Sequence, residues 1–108
     1  MSTAFEVIAE PRRRQILELL RDGELPVNEL VARMKLSQPL VSKHLRVLRE
    51  AGFVTPRVHK QQRHYRLNGE PFEEVEAWIS HFRRFWERTL DDLETHLKKK
   101  EDDDARDG

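Results

Sequence analysis

Three observations predict a mainly α fold with one β-hairpin. Apolar residues recur at intervals of three and four through the first fifty residues, the spacing of buried helix faces. Between Phe53 and Leu67 the period changes to alternation, the mark of half-buried strands. From residue 71 to 98 helical spacing returns without a break, long enough for one helix of roughly 42 Å at 1.5 Å per residue.

The elements follow in order. Thr3 and Glu6 have the spacing of a capping box, so residues 3–10 form a short helix with Phe5, Ile8 and Ala9 on one face. Pro11 opens a second helix at its first position, with Ile16, Leu17, Leu19 and Leu20 inward and Gly23 as its stop. Arg12, Arg13 and Arg14 crowd its first turn, against the helix dipole. They serve either a phosphate contact or a tolerated surface cluster. A third helix spans 27–34 after Pro26, with Val27, Leu30, Val31 and Met34 inward, and Lys35–Leu36 is a tight connection.

The fourth helix, residues 37–50, has the clearest signals. Ser37 is an N-cap whose hydroxyl can accept the Leu40 N–H, Pro39 lies in the first turn, and Gly52 suits the C-terminal cap. At about 100° per residue, Leu40, Val41, His44, Leu45, Val47, Leu48 and Ala51 form an apolar face. Pro39, Ser42, Lys43, Arg46 and Glu50 form a polar face, with Gln38 and Arg49 at its edge. Two short helices joined by a few residues, the second polar outside, make a helix-turn-helix. Phe53–Val58 is then a strand, at a sheet edge because of Pro56, His59–Gln62 a polar turn, and Arg63–Leu67 the return, with Tyr65 and Leu67 on one side. Arg57, Lys60, Arg63 and Arg66 make this hairpin basic, the wing of a winged helix-turn-helix.

The long helix at 71–97 carries Phe72, Val75, Ile79, Phe82, Trp86, Leu90, Leu93 and Leu97 as an apolar stripe, widened by Trp78 and Phe85. So many aromatics exceed what one small core buries, which predicts a homodimer joined through this helix. The Trp78, Phe82, Phe85 and Trp86 cluster could instead admit a small apolar inducer, of no identified chemistry. Residues 1–97 are expected to form one domain. Residues 98–108 lack large apolar side chains and are expected to be a disordered charged tail.

Charge separates along the chain even though 20 Lys and Arg balance 20 Asp and Glu. Residues 11–67 hold 13 basic against 5 acidic side chains, and residues 68–108 hold 7 against 13. The basic middle suits double-stranded DNA. With no cysteine, disulfides and thiolate metal sites are excluded, and the short apolar runs predict a cytoplasmic protein without a membrane span. No phosphate-binding glycine loop, nucleophile motif or metal triad is present, so an enzyme is not expected, nor a cofactor. His44 reads as a satisfied, partly buried structural residue. Asp92 and His96 lie one turn apart and offer two metal ligands, four in a dimer, which is not taken as a site.

The stretches LSQPLVSKHLRVLREAGFV and RHYRL, in this order of elements, resemble the ArsR/SmtB family of bacterial winged-helix repressors over residues 4 to about 97. The C-terminal AWISHFRRFWERTLDDLETHL is similar to a cysteine-free branch of it. The resemblance implies a homodimer that binds an inverted-repeat operator and represses transcription, often of its own operon. It places Gln38, Pro39, Ser42 and Lys43 toward the major groove, Arg46 and Arg49 toward phosphates, and Lys60 and Arg63 in the flanking groove. The positions of the family's last-helix metal site hold Gly69, Pro71, Phe82 and Phe85, so that site is absent. Lys60 stands where the family often has Gly, which leaves the turn geometry open. A different class of function, a winged-helix protein-interaction module using the aromatic C-terminal helix, is the alternative.

Overall fold

The computed structural model describes residues 3–107, with side chains through 101. Among the described residues nine elements follow one another: α1 (Ala4–Ile8), α2 (Pro11–Leu19), β1 (Leu25–Pro26), α3 (Val27–Met34), α4 (Gln38–Glu50), β2 (Val54–His59), β3 (Gln62–Leu67), α5 (Glu70–Ser80) and α6 (Arg83–Asp107). Contacts divide the chain into two units, Met1–Val75 and Glu76–Gly108.

In the first unit the caps act locally. Thr3 Oγ1 accepts the Glu6 N–H at 3.2 Å, and Ser37 Oγ accepts the Leu40 N–H at 3.4 Å. The inward face of α1 is Ala4 and Val7 with part of Ile8, so Phe5 and Ala9 are displaced from their expected role. Arg13 and Arg14 take a role that the sequence reading missed. Arg13 Nε donates to Val7 O at 2.7 Å and Arg14 Nη1 to Ile8 O at 2.6 Å, so both satisfy carbonyls left open at the end of α1. The two charges sit at the negative end of that helix, which offsets their poor position at the start of α2.

Ile16, Leu20, Leu30, Val41, Leu45, Leu48, Phe53 and Val54 form the centre of the core. They come from α2 and its C-cap, α3, α4, and the start of β2 with the residue before it, so the apolar faces read from periodicity meet at one place. Asn68 closes this unit behind the wing: its backbone N–H donates to Phe53 O at 2.9 Å and its Nδ2 to Gly52 O at 3.1 Å.

The sheet has three antiparallel strands in the order β1-β3-β2. β2 is therefore an edge, as Pro56 requires. β1 was not foreseen, because two residues show no alternation; it exists by pairing Leu25 with Tyr65 and Pro26 with His64. The wing turn has only two residues, Lys60 and Gln61, with φ of +49° and +65°. That is the left-handed region, where hairpins of this length favour Asn-Gly and a Cβ is strained. Gln61→Gly is expected to stabilise the domain by about 0.5–1 kcal/mol, read from urea unfolding. A loss of stability would show that the turn is relaxed with its present side chain.

The single helix expected over 71–98 is two. Ser80 Oγ donates to Ala77 O at 2.7 Å, and the His81 and Phe82 N–H groups bond to Trp78 and Ile79 carbonyls three residues back, at 3.2 and 2.9 Å. These tight turns end α5, and a regular bond from Trp86 N to Phe82 O at 3.0 Å starts α6. Apolar spacing passes through the break unchanged at Ile79, Phe82 and Trp86, which is why periodicity did not show it. The helix also continues past Leu97 to Asp107, where a disordered tail was expected; Gly108 lies outside the described residues. Lys98–Glu101 are good helix formers and propagate the turns already made, which composition alone did not weigh.

Candidate nucleic-acid interface

α4 stands on the core through Val41, His44, Leu45 and Leu48 and turns its other side outward. Gln38, Ser42, Arg46 and Arg49 recur at four, four and three residues, so they share one strip of that outer side. The strip faces β3 and the start of α3 across a groove of about 560 Å³. Arg63 of β3 lines the same groove. The structure thus brings together five of the eight residues assigned to DNA: Gln38, Ser42, Arg46, Arg49 and Arg63. Pro39 and Lys43 are exposed on α4 outside the groove, and Lys60 sits at the wing turn.

Asn28, Gln62 and Tyr65 also line the groove and were missed. Gln62 belongs to β3, not to the turn expected at 59–62, and no local pattern marks Asn28. Pro26 at the N-cap of α3 provides no side-chain hydrogen bond, so the first-turn N–H groups of that helix are left uncapped beside the groove.

Cationic side chains around the site differ in availability. Arg46 Nε lies 3.2 Å from Glu50 Oε1 one turn on, an exposed pair worth a few tenths of a kcal/mol and easily exchanged. Arg57, one of the four basic residues of the hairpin, donates to Glu24 at the base of the wing. The Arg57 hydrogen bond holds the Glu24 carboxyl below its usual range, and the same contact raises the guanidinium. His64 Nδ1 approaches the same carboxylate at 3.6 Å. Arg57 is therefore a structural tie between β2 and the loop before β1. Arg49 and Arg63 have no carboxylate partner among the described residues.

Beneath α4, His44 is buried at 8% exposure, but neither ring nitrogen has a hydrogen-bond partner among the described residues. The expected structural burial holds, and the expected satisfaction of the ring does not. Burial lowers its pKa most; Glu10, the N-cap of α2, opposes that, while Arg13, Arg12 and Lys43 add to it. Among the described residues no group of three or more His, Asp or Glu could hold a metal ion, and no helix is long and apolar enough to cross a membrane.

Two helices in a turn, the second with a polar outer strip, followed by a basic two-stranded hairpin, define a winged helix-turn-helix DNA-binding domain. Residues 10–55 match the family described as bacterial regulatory protein, arsR family. A solved structure described as a possible transcriptional regulator for arsenical resistance is 40% identical, with a TM-score of 0.72 over 85% of this chain and 97% of that one. The chain belongs to the arsR family, and it is a DNA-binding transcriptional regulator, not an enzyme. The transcriptional repressor SdpR of Bacillus subtilis is 29% identical over 76% of this chain and 91% of its own length. The solution structure of a homodimeric winged helix-turn-helix domain from Mycobacterium bovis is 28% identical, with a TM-score of 0.61 and coverage of 71% of each chain.

Proposed function

We propose that this regulator is a homodimeric repressor that binds an inverted-repeat operator, its own promoter being the first candidate. The observation that carries the reading is the outer strip of α4, polar and exposed, set beside a wing that adds further cations. Gln38, Pro39, Ser42 and Lys43 would meet base edges, where amide, hydroxyl and ammonium groups can match donors and acceptors. Arg46, Arg49, Lys60 and Arg63 would neutralise phosphates and supply the salt-dependent part of affinity. The similarity to a repressor supports the direction of control.

A second copy would cover the apolar stripe of the C-terminal unit. Ile79, Phe82, Trp86, Leu90 and Leu93 are exposed, Leu90 at 62%. Phe72 and Val75, also assigned to the seam, pack against the first unit's own core instead. Both precede the residue at which the two units divide, so the candidate seam begins after them. The exposed aromatics are then seam residues, with no inducer required to explain them. Working on DNA, the protein acts in the cytoplasm.

The test is binding to DNA from its own promoter region at two salt concentrations, against scrambled DNA of equal length. Selective binding that weakens steeply with salt is expected. Lys43→Ala and Arg46→Ala should each weaken it by roughly 5- to 100-fold while light scattering still gives a dimer. Equal weak binding to both DNAs, or a wild-type monomer, would remove the proposal.

A further inference from the structure

We infer that Glu24 is a clamp that positions the wing on DNA, so that a carboxylate strengthens DNA binding. This rests on the DNA-binding reading and adds a positioning residue to it. The need for a clamp follows from the sheet register. β1 supports β3 only at Tyr65 and His64, so the last row that three strands share is Arg57, His64 and Pro26. Past that row the wing is a bare two-stranded ribbon of two rows, Val58–Arg63 and His59–Gln62, closed by Lys60 and Gln61. Such a ribbon is marginal by itself, and both turn residues hold the left-handed conformation that a Cβ disfavours. Lys60 and Arg63, the two wing residues assigned to the flanking groove, both lie on this unsupported part. At about 3.3 Å per residue the turn stands roughly 10 Å beyond the last shared row, so a small tilt at that row is magnified at Lys60.

Glu24 acts at that row. Arg57 and His64 are direct cross-strand partners, so their side chains leave the same face of the sheet. Arg57 donates to Glu24 Oε1, and His64 Nδ1 lies 3.6 Å from the same oxygen. One carboxylate thus holds both strands at the root of the ribbon. The Glu24 side chain is 25% exposed and that of His64 16%, so water competes less than at an open ion pair. The His64 ring meets His59 edge-on, with centroids 5.7 Å apart, which carries the contact to the residue before the turn. Among the described residues no other carboxylate pairs with a hairpin side chain.

The test turns on a sign. Deleting a negative charge near DNA should by itself tighten binding. Glu24→Gln is expected instead to weaken binding to promoter DNA by roughly 3- to 10-fold, since the wing cations lose their position. With Lys60→Ala and Arg63→Ala already in place, Glu24→Gln should no longer weaken binding. With Lys43→Ala in place it should keep its full effect, because α4 does not depend on the clamp. A general loss of stability would lower both backgrounds alike. Urea unfolding establishes that each variant is folded during the assay. If Glu24→Gln is not, Arg57→Gln breaks the pair from its exposed side, and the same two backgrounds decide. Tighter binding by Glu24→Gln, or equal losses in the two backgrounds, would overturn the inference. Failure of wild type to bind any DNA would instead remove the DNA-binding reading, and the role of the clamp with it.

Discussion

Phe53→Ala is expected to cost about 3–5 kcal/mol, the range for a fully buried aromatic residue whose site cannot collapse. Phe53 is fully buried just before β2 and meets the Phe72 ring edge-on, with centroids 5.1 Å apart and planes at 84°. Its backbone N–H also donates to Leu48 O at 2.9 Å, and its carbonyl accepts from Asn68 N at 2.9 Å. One residue thus ties the end of α4, the residue that follows β3 and the first turn of α5. Domains of this size are stable by only about 5–10 kcal/mol, so the variant should be near unfolding at room temperature. Phe72→Ala is the control. Phe72 is half-buried, so its removal should cost less than half as much in guanidinium unfolding. Equal losses in the two variants would mean that the packing is centred on α5 rather than on Phe53.

His44→Leu is expected to stabilise the protein, by about 1–2 kcal/mol at pH 7.5 and by more at pH 5.5. Two buried ring nitrogens without partners cost about 1–3 kcal/mol each in principle, and leucine leaves neither. The branched leucine does not match the flat shape of the ring it replaces, and imperfect packing gives back part of the gain. The pH dependence follows from the direction of the shift. Burial holds the folded-state pKa below the ordinary 6.5, so the unfolded chain binds the proton more readily. Stability from the neutral ring is present in full above about pH 6.5 and falls as the pH drops below it. Removing His44 should flatten that fall, and the difference in slope between wild type and variant isolates this residue from the other histidines. Identical slopes would show that the His44 ring is solvated in the folded protein.

These two residues show what was legible beforehand and what was not. The caps and inner face of α4 were readable because they rest on neighbours one to four residues apart: Ser37 with Leu40, and Val41 with His44, Leu45 and Leu48. The hairpin was readable because alternation is equally local, and Pro56 marked its edge. His44 could be placed inward by the same periodicity, but whether its nitrogens found partners depended on what α2 set opposite them.

The remaining features were decided by elements distant in the chain. Leu25 and Pro26 are a strand only because Tyr65 and His64 lie beside them. Arg13 and Arg14 cap α1 only because the turn at Glu10 folds α2 back over its open carbonyls. The polar face of α4 was visible as one broad surface. The position of β3 and the start of α3 divided it into a groove-facing strip, with Gln38, Ser42, Arg46 and Arg49, and an outer part with Pro39 and Lys43. Sequence by itself determined the winged helix-turn-helix, its core faces and its basic character, since periodicity, capping and charge are short-range properties of the chain. Tertiary structure alone decided that Asn28 of α3, Arg46 and Arg49 of α4, and Arg63 and Tyr65 of β3 share one groove, because convergence depends on packing, which no local spacing encodes.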